Sequence, residues 1–202
     1  MIAVLDYGIG NLRSAEKALQ HVGADARLVA DPDEAAAADG LVLPGVGGFG
    51  PCMDALVASG LAEVARQGIA SGRPFLGICV GLQMLFDGSE EDPGVAGLGV
   101  LPGINGRLSD SVKRPQMQWN VLHPTSVGAE LMAGLPDPAW VYFVHSYAPP
   151  PGGHVAATCE YGGEVVAAIA RDNVWGTQFH PEKSGVAGLA LLDNFVRRCK
   201  AS

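Results

Sequence analysis

The chain opens on Ile2-Ala3-Val4-Leu5, an apolar run with no polar alternation, and runs of the same kind recur at residues 41–43 and 75–78. Strands that are apolar on both sides are covered on both faces, which is the mark of a parallel sheet. Between these runs the period changes. Leu12, Ala15, Leu19 and Val22 recur at helical spacing, and Gly23 supplies a stop. Residues 26–30 predict a second strand. Asp31 and Pro32 predict the cap and first position of a short helix, with Glu34 placed to complete a capping box. Helical patterns follow at 53–58 and 61–69, and residues 80–86 predict a helix directly after the fourth strand. Such alternation predicts an α/β fold, a doubly wound and mostly parallel sheet with right-handed crossovers.

From Leu98 the pattern shortens. Strand-like pieces at 106–108, 119–122, 140–144, 154–159, 165–170 and 174–179 are separated by turn signals such as Pro149-Pro150-Pro151-Gly152-Gly153. These predict antiparallel hairpins packed beside the core sheet. A terminal helix follows, with Val186, Leu189, Leu192 and Val196 on one face and Ser184 as its expected N-cap.

Composition narrows the classes. At 202 residues, 48% hydrophobic and 17% charged, the chain is expected to fold as one globular domain over residues 1–202. A net charge of −8 without a Lys/Arg cluster argues against nucleic acid. Cys52, Cys79, Cys159 and Cys199 are scattered without metal-binding spacing, so they read as reduced thiols of a cytoplasmic protein, and neither metal nor cofactor is expected. Met1 leads straight into the first strand with no leader, and no apolar run approaches membrane length.

Ligand sites in doubly wound folds gather at the carboxyl ends of strands. Three segments end strands here: Asp6 to Asn11, the glycine-dense Pro44-Gly45-Val46-Gly47-Gly48-Phe49-Gly50, and Cys79. Gly8 and Gly10 lack the third glycine of a dinucleotide fingerprint, and no Lys-Ser/Thr follows the 44–50 loop, so neither is a phosphate cradle of the usual kinds. The loop reads either as a surface turn or as a nest of bare N–H groups that approach a ligand. Cys79 lies at a strand-to-helix turn with Gly77 and Gly81 on either side, the arrangement of a nucleophile elbow. There a helix N-terminus favours thiolate, and the Val80 N–H can face a developing oxyanion. The same pattern also fits a small buried hydrophobe in a tight turn.

A thiol nucleophile needs a base, and the base needs an orienter. Of five histidines, His180 stands out: it ends an apolar strand, Pro181 biases it away from helix, and Glu182 follows two residues on. In extended backbone those side chains share a side, so Glu182 can hold Nδ1 while Nε2 faces the thiol. His-x-Glu also fits a plain surface pair.

Gly77-Ile78-Cys79-Val80-Gly81-Leu82-Gln83 together with Gln178-Phe179-His180-Pro181-Glu182 resembles the class I (triad) glutamine amidotransferases. Within that family the chain is similar to the glutaminase subunits of imidazole glycerol phosphate synthases, enzymes of histidine biosynthesis. The similarity extends through Asp6-Tyr7-Gly8-Ile9-Gly10-Asn11-Leu12, Pro44-Gly45-Val46-Gly47, Trp119-Asn120, Tyr142-Phe143-Val144-His145-Ser146-Tyr147 and Lys183-Ser184. One departure is Gln116-Met117-Gln118-Trp119-Asn120, which in the family commonly reads His-Met-Gly-Trp-Asn. The resemblance implies a flavodoxin-like sheet with an added antiparallel layer. It implies glutamine hydrolysis through a Cys79 thioester, with His180 as acid and base and Glu182 as orienter. An oxyanion hole would be formed by Val80 and the Val46-Gly47 loop. Gln83, Ser146 and Tyr147 would bind the substrate, although Gln83 also fits a residue packed under the elbow. Tyr7, Asn11, Tyr142 and Lys183 would serve the interface or gate toward a (β/α)₈ cyclase subunit, the partner of a heterodimer that receives the ammonia. The competing readings are a stand-alone cysteine hydrolase or peptidase on the same fold, and a silent scaffold.

Overall fold

Each uninterrupted apolar run becomes a strand buried along its whole length. The computed structural model describes residues 1–201. In chain order its first half holds β1 (Ile2–Leu5), α1 (Leu12–His21), β2 (Ala26–Val29), α2 (Pro32–Ala36), β3 (Gly40–Gly45), α3 (Phe49–Ala58), α4 (Leu61–Ala70), β4 (Phe75–Cys79) and α5 (Val80–Gln83). The second half adds β5 (Gly88–Ser89), β6 (Ile104–Arg107), β7 (Gln116–Val121), β8 (His123–Pro124), β9 (Trp140–His145), β10 (Tyr147–Ala148), β11 (Val155–Glu160), β12 (Glu164–Arg171), β13 (Val174–Thr177) and α6 (Gly185–Ala201). Asp31 caps α2 as expected, its carboxylate accepting from the N–H groups of Asp33 and Glu34.

The central sheet has eight strands in the order β2-β1-β3-β4-β13-β12-β11-β8. Its first five are parallel and the last three antiparallel. The strand order reverses between β1 and β3. Right-handed crossovers therefore put α1 on one face, where it packs with α6, and α2, α3 and α4 on the other. The doubly wound sheet with added antiparallel strands is thus the architecture the periodicity predicted. A separate ladder, β7 against β9, and a small sheet β10-β6-β5 complete the second half.

Four details differ from the sequence expectations. First, 174–179 forms a hairpin with β12 but inside the core sheet: β13 is the fifth parallel strand and lies directly against β4. Second, β11 and β12 prolong the core sheet itself rather than packing beside it. Third, the helix after Cys79 is a single turn, because the chain must turn back at Asp87, whose N–H donates to Gly103 O, to begin β5. Fourth, the buried face of α6 carries Leu191, Leu192, Phe195 and Val196, while Val186 is 75% exposed and Leu189 half-buried. Ser184 holds the N-cap position, its C=O accepting from Gly188 N–H (3.2 Å), but its hydroxyl donates to His180 O (2.6 Å) and accepts from Tyr142 N–H (3.0 Å).

Candidate active site

Strand β4 delivers Cys79 to the carboxyl edge of the sheet in a backbone conformation L-residues rarely adopt, φ 56° and ψ −112°. Such a conformation costs on the order of 1–3 kcal/mol and persists only where its surroundings enforce it. Here they do. A Cβ on Gly81 would lie 1.8 Å from Leu43 O, and one on Gly77 would lie 2.7 Å from Gly81 O. The two glycines let the one-turn helix fold back onto the strands, which forms the elbow. The sulfur lies 3.8 Å from Val144 O and 3.7 Å from Gln178 Nε2.

Because β13 runs parallel to β4 with Thr177 opposite Ile78, the two strands end together. The residues just beyond β13 therefore meet Cys79. His180 is extended (φ −95°, ψ 98°), and residues Pro181–Lys183 form a 3₁₀ turn. The expected His180–Glu182 contact forms across that turn rather than along a strand: Nδ1 donates to Glu182 Oε1 at 2.8 Å, with both side chains almost wholly buried. His180 N–H donates to Tyr142 O, which clamps the turn to β9. Burial alone would depress the His180 imidazole. The nearby Cys79 sulfur and the Glu182 carboxylate outweigh it, and the pKa stands well above the ordinary imidazole value. Cys79 and the His180 of the His180–Glu182 pair therefore line one cleft.

Asn11 proves to be part of this array. Its Nδ2 donates to Glu182 Oε1 at 3.0 Å, while Oε2 is buried without a protein partner among the described residues. Asn11 thus fixes the carboxylate from β1's side of the cleft. Tyr7, expected at the interface or gate, is buried beneath the 44–47 turn, its hydroxyl donating to Pro44 O at 2.6 Å. Tyr142 is half-buried and Lys183 exposed at the mouth of the cleft.

The cleft has a volume of about 570 Å³, and Val46, Gly47, Val80, Gln83, Ser146 and Tyr147 all line it together with Cys79 and His180. No protein acceptor outside their own helix and strand ladders takes the N–H groups of Val46, Gly47 or Val80 among the described residues. Gln83 is buried, and its Nε2 donates to Tyr147 O (2.9 Å) and to Gln178 Oε1 (3.0 Å). Its amide thus supports the 146–147 backbone from beneath, while the residue also forms part of the wall.

Two wall residues were not singled out in the sequence. Glu91 lines the cleft from the acidic 89–92 loop, where it and Asp92 accept from the first N–H groups of α3, Phe49 N (2.9 Å) and Gly50 N (2.8 Å). His145 ends β9, with Nδ1 donating to Tyr147 O (2.8 Å) and Nε2 lying 2.9 Å from the Gln116 amide. Gln116, the departure from the family motif, is fully buried there.

Burial pushes His145 down to about 4, although its bond to Tyr147 O acts the other way. A group with a depressed folded pKa binds fewer protons folded than unfolded, so its stabilising contribution is complete above about 6.5 and is lost as pH falls toward 4. The wild type is expected to lose roughly 3 kcal/mol more stability than His145→Asn over that window. Urea denaturation of both proteins at pH 7 and pH 4.5 measures the difference; parallel losses would count against it.

All four cysteines are buried and free, but their settings differ. Burial raises Cys52, and pushes Cys159 up to about 11 and Cys199 up to about 12. Iodoacetamide at pH 7 is therefore expected to modify Cys79, which alone of them lines the cleft, about tenfold or more faster than the other three. Peptide mapping by mass spectrometry reads this directly, and comparable labelling of any other thiol would contradict it.

No group of three or more His, Cys, Asp or Glu residues that could hold a metal ion is present among the described residues. No described helix is long and apolar enough to cross a membrane.

Residues 3–199 match the sequence profile of the family Glutamine amidotransferase class-I. The chain is 50% identical to the imidazole glycerol phosphate synthase subunit HisH of Synechococcus sp. (strain JA-3-3Ab), over 96% of this chain and 92% of that one. It is also 50% identical to the protein of the same description from Methanothermobacter thermautotrophicus, over the full length of both. Among solved structures, one described as a glutamine amidotransferase superposes with a TM-score of 0.75 at 20% identity, over 96% of this chain and 98% of that one. PurLQS from Thermotoga maritima gives a TM-score of 0.74 at 19% identity, over 98% and 97%. At such identities these two structures speak for the fold alone.

Proposed function

The chain belongs to the class-I glutamine amidotransferases, and from that premise we propose that it is the glutaminase subunit of an imidazole glycerol phosphate synthase, acting in histidine biosynthesis. Residues 1–202 act as one amidotransferase domain. The observation that carries the mechanism is a cleft lined by both Cys79 and His180, whose ring bonds to Glu182 Oε1.

The Cys79 thiolate attacks the side-chain amide carbon of glutamine, and the carbonyl electron pair moves onto oxygen. The N–H of Val80 and an N–H of the Val46-Gly47 turn face that oxyanion. His180, charged beside Glu182, gives its proton to the departing nitrogen, and ammonia leaves as the C–N bond breaks. The neutral imidazole then takes a proton from water as its oxygen adds to the thioester. Collapse of that second intermediate expels the Cys79 sulfur and yields glutamate. The Glu91 carboxylate supplies the negative charge that an α-ammonium group needs, and backbone at Ser146 and Tyr147 receives the same end of the substrate.

The partner is a cyclase subunit built as a (β/α)₈ barrel, which forms a heterodimer with this chain and receives the ammonia. Support comes from the outer face of the β7–β9 ladder, where Met117 pairs with Val144, Trp119 with Tyr142 and Val121 with Trp140. Met117, Trp119 and Trp140 are exposed there, an apolar face beside the cleft that Val144 also lines. Tyr142, on that ladder, and Lys183, at the cleft, form the gate toward the barrel. The cytoplasm, where free thiols stay reduced, suits this role.

Glutamate release measured with and without the barrel subunit and its nucleotide ligand tests the proposal. A complex at micromolar concentration, with faster glutamine hydrolysis than the chain alone, is expected. Peptide cleavage by the isolated chain, without complex formation, would favour the stand-alone hydrolase instead.

A further inference from the structure

The turn that carries Val46 and Gly47 is held from below at two carbonyls. Pro44 O accepts from the Tyr7 hydroxyl at 2.6 Å, and Val46 O accepts from the Cys52 thiol at 3.3 Å. Tyr7 and Cys52 are buried, interact with one another, and lie outside the set of residues that line the cleft. Cys52 sits in the first turn of α3, whose N-terminus the Glu91 and Asp92 carboxylates fix. Burial raises the Cys52 thiol, so the sulfur keeps the proton it donates.

The two ends of a trans peptide point in opposite directions. With its C=O turned toward Cys52, behind the wall, the Val46–Gly47 peptide presents the Gly47 N–H on the opposite side, where the turn meets the cleft. Among the described residues no other hydrogen bond holds this peptide. Gly47 has φ 88°, and a Cβ there would touch nothing within 4 Å, so the backbone is free to pivot at that residue. We infer that Cys52 is a positioning residue, whose thiol latches the Val46–Gly47 peptide with an N–H toward the oxyanion that forms at Cys79. This rests on the glutaminase reading. A thiol is a weak donor, so the latch biases the turn rather than locking it.

The test compares Cys52→Ala and Cys52→Ser in the assembled synthase. Losing one oxyanion donor outright costs about 10²–10³ in rate. Cys52→Ala, which only frees the peptide, is expected to lower kcat for glutamine about tenfold with KM within about twofold. Cys52→Ser, which keeps a donor, is expected to recover most of that loss. Binding supplies a second readout: glutamate γ-semialdehyde, which forms a hemithioacetal oxyanion on Cys79, should weaken about tenfold in Cys52→Ala while glutamate binds as before. If Cys52→Ala does not fold, Cys52→Val keeps the volume without the donor and should show the same losses. An alanine variant with wild-type kcat, or a serine variant that falls as far as alanine, overturns the inference. Wild-type synthase that hydrolyses no glutamine overturns the reading beneath it instead.

Discussion

Cys79→Ala is expected to lower glutamine-dependent product formation by the assembled synthase about 10⁴-fold or more, while product formation from free ammonia stays near the wild-type rate. The size follows from the part the sulfur plays. Removing a nucleophile that works as a unit with its base costs about as much as removing the whole triad. The selectivity follows from position, since Cys79 lies in this chain's own cleft and contributes nothing to a reaction that begins with ammonia. Alanine also suits the site sterically. It deletes the sulfur from a 4% exposed position, and the elbow is enforced by the close approach of Gly77 and Gly81 to neighbouring backbone rather than by the thiol. Parallel initial-rate assays with the two nitrogen sources check the prediction. Equal loss with both sources would point to a folding or docking defect, and near-normal turnover of glutamine would remove Cys79 from the chemistry.

His180→Gln is expected to reduce kcat for glutamine about 10⁴-fold, with KM changed by about threefold or less. Glutamine at this position keeps an N–H for Glu182 Oε1, so the buried carboxylate retains a partner, but it can neither protonate ammonia nor activate water. It also removes the cation that the Cys79 sulfur and Glu182 together hold protonated. Steady-state kinetics, with circular dichroism to confirm folding, separates this from a structural loss. A fall of only a few-fold would mean that another group carries the proton.

How much of this was legible depended on whether a role is encoded locally. Two-sided apolar runs marked β1, β3 and β4 because a strand buried on both faces has no polar positions. The glycines around Cys79 and the Glu182 two residues after His180 are local too, so both halves of the array could be read. Strand order is not local. Nothing in residues 174–177 says that β13 neighbours β4, yet that placement is what brings His180 to the sulfur. Glu91 looks like any acid in a solvated loop, and its place at the cleft depends on capping a helix 42 residues earlier in the chain. His145 has no nearby carboxylate to mark it; its partner Gln116 arrives through a strand ladder. Asn11 and Tyr7 were assigned to the interface or gate through family resemblance. The structure puts one against Glu182 and the other beneath Pro44, because the loop after β1 turns inward over the end of β3.

Covalent labelling with a chloroketone analogue of glutamine tests the central claim most directly, because the reagent must dock as substrate before it can react. One equivalent attached to Cys79, with glutaminase activity falling in proportion and excess glutamine protecting, is the predicted result. Stoichiometric inactivation with the label on another residue, or full labelling of Cys79 that leaves glutamine hydrolysis intact, would contradict the account.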